Sequence, residues 1–196
     1  MKTLLSVILS LYLFPVFGGA FFSASSEGIP SVAAELVAVA SEDAVDPSER
    51  YYSQDARYSI AFPTSWDLAT DLDETSLAGI SPREDQFDFF RENVLVGSFH
   101  LTAAETLDDY FKGNLDYLKQ QIPDLEVEKT ERTVLDGYDA IRLVYSSTIS
   151  GTRVKTMQVF AIKEGRGYII TAMAMEPSYE NYVKDFHWII DSFRFE

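Results

Sequence analysis

The sequence predicts an α+β fold: an antiparallel β-sheet of five to seven strands packed with two main helices. Three observations predict it. Apolar residues recur at helical spacing in two well-separated stretches, 106–122 and 178–193. Strand-like alternation fills most of the chain between and before them. The dipeptide Asp136-Gly137, set between two such segments, is a strong hairpin signal.

Composition narrows the classes further. The chain has 196 residues, 16 Lys and Arg against 31 Asp and Glu, a net charge of −15, two His and no Cys. Without cysteine there is no disulfide, thiolate nucleophile or zinc–thiolate site. The acidity excludes a nucleic-acid binder, which needs a basic face. At 46% hydrophobic and 14% aromatic residues, the chain has ample material for a core.

Residues 1–20 read as a signal peptide. Lys2 supplies the positive start, and Leu4 to Phe14 is an apolar run broken only by Ser6, Ser10 and Tyr12. Pro15, Gly18, Gly19 and Ala20 then give a helix break and small residues suited to cleavage after Ala20. The competing reading is an uncleaved anchor, because Leu4 to Phe22 approaches the roughly 20 residues a bilayer requires. Either way the location is extracytoplasmic, periplasmic or secreted. Residues 21–50 read as an acidic linker rich in Ala and Ser, with Glu27, Glu35, Glu42, Asp43, Asp46 and Glu49 against Arg50. Ala38-Val39-Ala40 is a second small-x-small site, as in a two-step route to a plastid lumen, but transit peptides are basic and 21–49 holds no base.

The folded domain is expected over 51–196. Tyr58, Ile60 and Phe62 alternate with Arg57, Ser59 and Ala61, predicting a strand with one buried face that Pro63 ends. Leu77 to Ile80 is a short strand, and Asn93 to Thr102 a strong one. Thr106 caps a helix whose first turn holds Asp108 and Asp109, and Pro123 stops it. Its stripe is Leu107, Tyr110, Phe111, Leu115, Leu118 and Ile122, and Gly113 is expected to serve close packing on the sheet. A meander follows: 125–135, 138–149, 153–163 and 168–175, turning at Asp136-Gly137, Ser150-Gly151 and Glu164 to Gly167. Pro177-Ser178 opens the second helix, with Tyr179, Tyr182, Val183, Phe186, Ile189, Ile190 and Phe193 as its stripe, and Ser192 to Phe195 adds a last short strand. Trp66, Phe111 and Phe186 are the expected core aromatics.

No catalytic, cofactor-binding or metal-ligating set emerges. His100 follows Ser98 on one strand face, yet a regular strand offers no nucleophile turn. Asp71 to Thr75 resembles the start of a calcium loop, but its sixth and twelfth positions are Ser76 and Pro82 instead of Gly and Glu. The most unusual segment is Ser81 to Asn93, which sets Phe87, Phe89 and Phe90 among Arg83, Glu84, Asp85, Asp88, Arg91 and Glu92. Three phenylalanines in four residues cannot all point inward from a short loop unless it folds back. This is the expected protein-partner surface, with Phe89 and Phe90 as anchors and Phe87, Arg83 and Arg91 beside them. The bland alternative is a loop pinned to the core by its phenylalanines.

The order of elements carries a resemblance. YSIAFPTSW (58–66), TLDDYFKGNLDYLKQQI (106–122), the meander 125–175 and IIDSF (189–193) together resemble the PsbP/DcrB-like superfamily over about 51–196. The resemblance implies an α/β/α sandwich and a non-catalytic accessory or binding domain, exported or lumenal, with a protein partner and association with a membrane complex left open. It also brings in a lumenal accessory of photosystem II as an alternative. Two departures stand out. DcrB-type proteins are lipoproteins, and this chain lacks the cysteine. Plant-type PsbP docks partly through basic surface, and the arm 21–49 has none. The rival of another class is a carboxylate-dependent hydrolase, with His100 assisting.

Overall fold

The computed structural model describes residues 50–73, 76–101 and 105–196. The signal peptide, nearly all of the linker and part of the calcium-like stretch lie outside these residues. In chain order the elements are β1 (Arg50–Ser53), β2 (Tyr58–Ala61), β3 (Asp67–Asp73), β4 (Ser76–Ile80), β5 (Asn93–His100), α1 (Leu107–Gln121), β6 (Glu126–Leu135), β7 (Tyr138–Ile149), β8 (Thr152–Lys163), β9 (Arg166–Met175), α2 (Tyr179–Asp191) and β10 (Arg194–Phe195).

Seven strands form one antiparallel sheet in the order β3-β4-β5-β9-β8-β7-β6, and β1-β2-β10 form a small second one. The long meander is built by three two-residue hairpins. Leu135 pairs with Tyr138, Ile149 with Thr152 and Lys163 with Arg166. In each, both central residues have positive φ: 46° and 81° at Asp136-Gly137, with Ser150-Gly151 and Glu164-Gly165 alike. That backbone matches the right-handed twist of the flanking strands, and glycine adopts it without strain. The third turn closes at Gly165, so Arg166 and Gly167, expected in the turn, are already in β9.

The two helices cover opposite faces of the large sheet. On one face, α2 and the small sheet enclose the larger core, which includes Ile60, Phe62, Trp66, Val94, Val159, Ile170, Phe186, Ile189 and Phe193. On the other, α1 lays Tyr110, Leu118 and Ile122 over Phe99, Leu143, Tyr145, Phe160 and Ile169. Alternate residues of β8 and β9 divide between the two cores, as strand pleating requires.

Several expectations change here. Arg50, read as the end of the linker, is in β1 and pairs with Ala61. β2 is buried on both faces: Tyr58 stacks on Phe193 at 5.4 Å on one, and on the other Ser59 is covered by Arg50, which donates to its Oγ at 3.2 Å, and by Glu196, which accepts from it at 2.7 Å. Trp66 and Phe186 are core residues, but Phe111 is only half-buried, edge-on to Phe160 at 5.4 Å. Thr106 does cap α1, its side chain accepting from the Asp109 N–H. Gly113 does not pack on the sheet: it is exposed, and a Cβ there would meet nothing within 4 Å. Gly113→Ala is therefore expected to raise stability by about 0.5–1 kcal/mol through lower unfolded-state entropy, read as a higher urea midpoint.

The α1 side is less well satisfied than the α2 side. Asn114, between Tyr110 and Leu118 on the helix, is buried and donates to the Tyr110 carbonyl at 2.8 Å. Beneath α1's face of the sheet runs a polar row of Ser147, Thr156, Gln158 and Thr171, in which Gln158 donates to Thr171 at 3.0 Å. Tyr110 Oη, Asn114 Oδ1, Ser147 Oγ, Thr156 Oγ1 and Gln158 Oε1 are buried and find no hydrogen-bond partner within the described residues. Burial also pushes the Tyr110 hydroxyl pKa well above the usual tyrosine range, with Glu105 adding to it.

Candidate functional site

The segment 81–92 joins β4 to β5 at the end of the large sheet. Its neck is closed by the Ser81 N–H donating to the Glu92 carbonyl at 2.8 Å. Glu92 is buried and anchors the loop from within: its carboxylate accepts from Ser81 Oγ at 3.2 Å and from Ser178 Oγ, just ahead of α2, at 3.0 Å. Arg91 bridges outward, donating to the Ser81 carbonyl at 2.5 Å and to Asp67 of β3 at 2.6 Å.

Local hydrogen bonds shape the tip. Asp85 accepts from the Phe87 N–H at 2.6 Å; Asp88 accepts from the N–H groups of Glu84 at 3.2 Å and Phe90 at 3.1 Å. Such short-range carboxylate–backbone bonds are how aspartate stabilises turns. Arg83 donates to the Asp88 carbonyl at 2.6 Å. From α2, the Tyr182 hydroxyl donates to Glu84 at 2.7 Å. Its pKa lies far above the ordinary tyrosine range, through burial first and then the Glu84 and Glu92 carboxylates.

The three phenylalanines part company. Phe90 is 5% exposed and packs with Ile149, Val154 and Met173 on the α1 side of the sheet. Its place as a partner anchor is thereby corrected: the apolar residues at the ends of β7, β8 and β9 already cover it. Phe87 and Phe89 are 78% and 71% exposed. The loop thus straddles the sheet end, with Phe90 tucked to one side, Glu84 held by Tyr182 on the other, and two phenyl rings in solvent at the tip. Arg83 and Arg91, expected in a free charged rim, are both engaged within the loop and its neck. Glu92, Ser178 and Tyr182 were not foreseen as its supports.

The hydrolase alternative meets a specific geometry at His100. Arg166 is buried and donates to Ser98 Oγ at 3.0 Å, to the Asp55 carbonyl at 3.0 Å and to His100 Nε2 at 2.8 Å. Guanidinium nitrogens only donate, so in this contact His100 Nε2 can serve only as the acceptor. That lone pair is occupied by Arg166, and Ser98 Oγ also receives from Arg166. Arg166 thus ties Ser98 and His100 of β5 to the β1–β2 turn. His187 is half-buried on α2. Among the described residues, no group of three or more His, Cys, Asp or Glu side chains could hold a metal ion.

Comparison with known proteins agrees with this architecture. No curated protein matches the sequence. Among solved structures, the chain is similar to the cyanobacterial PsbP (CyanoP) of Synechocystis, at 16% identity and a TM-score of 0.58, covering 81% of this chain and 99% of that one. It is similar to the PA94 protein of Pseudomonas aeruginosa at 15% identity and a TM-score of 0.56, covering 73% and 93%. It is also similar to the Ran-binding protein Mog1p of Saccharomyces cerevisiae at 11% identity and a TM-score of 0.55, covering 74% and 94%. At such identities these likenesses speak for the fold alone. The model of the PsbP-like protein family matches residues 35–195, well over half of the chain. The chain belongs to the PsbP-like protein family.

Proposed function

We propose that the protein is a non-catalytic accessory domain, acting outside the cytoplasm, that binds a protein partner through the β4–β5 loop. The observation that carries this reading is the pair Phe87 and Phe89, exposed at the tip of a loop fixed by Phe90, Glu92 and Arg91. Exposed aromatic rings are costly in water and typical of binding surfaces. A tip already ordered by its own hydrogen bonds loses little entropy on docking. Membership of the PsbP-like family and the occupied Ser98–His100 pair both support a binding over a hydrolytic role. The signal-like residues 2–20 support export, and N-terminal sequencing of the mature protein tests it: a mature chain that begins at Met1 would overturn it.

The test of the site is partner capture from the compartment where the protein resides. Phe87→Ala and Phe89→Ala are each expected to weaken capture by about 2 kcal/mol, as truncated aromatic anchors do. Their circular dichroism and melting should match the parent, because neither ring is buried. Unchanged capture by the double variant would remove the loop as the site. Membership of the PsbP-like family supports a narrower reading, an accessory of photosystem II in a lumen. Co-migration of the protein with photosystem II, or its absence from those fractions, decides it.

A further inference from the structure

We infer that the partner presents an apolar socket rimmed by lysine or arginine, so that the loop tip docks on a basic, amphipathic protein segment. This inference rests on the reading of the β4–β5 loop as the docking site and adds the chemistry of its occupant.

The argument is the charge left over at the tip. Phe87 and Phe89 stand among Glu84, Asp85 and Asp88. Of the segment's two bases, Arg91 is paired with a carboxylate, whereas Arg83 donates to a neutral carbonyl and keeps its charge at the tip, so three carboxylates face one guanidinium. Arg83 donates to the Asp88 carbonyl, and Arg91 pairs with Asp67 while also donating to the Ser81 carbonyl. The carboxylates are bound only by neutral donors: Glu84 by the Tyr182 hydroxyl, Asp85 and Asp88 by backbone N–H groups. Among the described residues no cation pairs with them, and with Arg83 counted the tip still carries net negative charge. Beyond the loop, the first turn of α2 adds the exposed Glu180, and the whole chain carries −15.

Two exposed phenyl rings inside a collar of net negative charge select one kind of surface. An apolar socket satisfies the rings. Ammonium or guanidinium groups at its rim pair with the collar, and they also sit favourably over phenyl faces. An acidic or neutral socket would leave the carboxylates desolvated without compensation. An anionic bilayer, which attracts basic segments, would be repelled by the collar. A second copy of this chain would bring the same negative collar against itself.

The probes are two designed amphipathic peptides of about 18 residues, one of leucine and lysine and one of leucine and glutamate, each with a fluorescent label. Binding of the full chain is followed by anisotropy. The lysine peptide is expected to bind and the glutamate peptide not. Raising salt from about 0.05 to about 0.5 M should weaken binding at least about tenfold. Phe87→Ala/Phe89→Ala should lower affinity by about tenfold or more. Glu84→Gln/Asp85→Asn keeps an accepting oxygen for Tyr182 and for the Phe87 N–H while removing two charges, and should also weaken binding.

If the lysine peptide binds but the phenylalanine variant binds equally well, the attraction is diffuse charge and the inference is overturned. If neither peptide binds while partner capture still depends on Phe87 and Phe89, the docking site stands and its basic occupant is wrong. Vesicles of phosphatidylcholine, and of phosphatidylcholine with phosphatidylglycerol, are the lipid arm. Phe-dependent sedimentation with either would assign the tip to a membrane and overturn the inference as well.

Discussion

Phe186→Ala is expected to cost about 3–5 kcal/mol, the loss typical of deleting a buried phenyl ring and leaving a cavity. Phe186 is 0% exposed and lies on the face of α2 that meets the large sheet. Its ring is edge-on to Trp66 at 6.5 Å and lies 6.0 and 6.2 Å from the rings of Tyr179 and Tyr182. Those neighbours belong to the segment after β2 and to α2 itself, so neither can move into the void without breaking its own packing. A domain with about 5–15 kcal/mol of total stability loses a large share. Urea unfolding should show the midpoint falling at unchanged slope, and Phe186→Leu should fall less. An alanine variant with the parent's midpoint would mean that α2 is not held through this ring.

The second large effect is expected from adding one methyl group. In Gly79→Ala the new Cβ would overlap the Phe62 ring, whose Cγ alone lies at 3.1 Å. Gly79 is inside β4, paired to Leu68 on one side and Val94 on the other, so its backbone is held on both edges. Phe62 is fully buried and stands 6.5 Å from Trp66. Overpacking of this kind costs about 1–3 kcal/mol, and a pinned backbone puts Gly79 at the upper end. The same glycine-to-alanine change has opposite signs at Gly79 and Gly113, and paired melting curves read the contrast. Equal shifts at the two positions would refute the packing described around Phe62.

The parts of the fold that could be read from the chain are those written in local chemistry. Asp136-Gly137 announces its hairpin because few residue pairs tolerate two positive φ angles. Thr106 and Pro123 bracket α1 because one satisfies its free N–H groups and the other cannot continue the helix. β1 and β3 escaped notice, since RYYS is too short to show a period and DLATDLD is an acidic sheet edge. Helical spacing located the stripe of α1 but not depth along it, so half-buried Phe111 and buried Asn114 both came as corrections. The loop was harder still. A turn has no period that says which of Phe87, Phe89 and Phe90 points inward. The choice is made by Ile149, Val154 and Met173, which lie about sixty or more residues away in sequence. Glu92 looked like one more rim charge, and only the approach of Ser178 shows it to be the loop's internal anchor.

The polar row under α1 bears on motion. Buried polar atoms without protein partners favour opening, because water satisfies them once the layer parts. That makes the α1 layer the cheaper of the two to lift from the sheet. The amides of α1 are then expected to exchange with deuterium through a local opening, while those of α2, packed on the larger apolar core, wait for global unfolding. Thr156→Val, which removes one such atom at nearly constant shape, should slow exchange in α1 and leave α2 unchanged. The sandwich would therefore be an asymmetric object in time as well as in space, with one layer breathing over a rigid half that carries the phenylalanine tip.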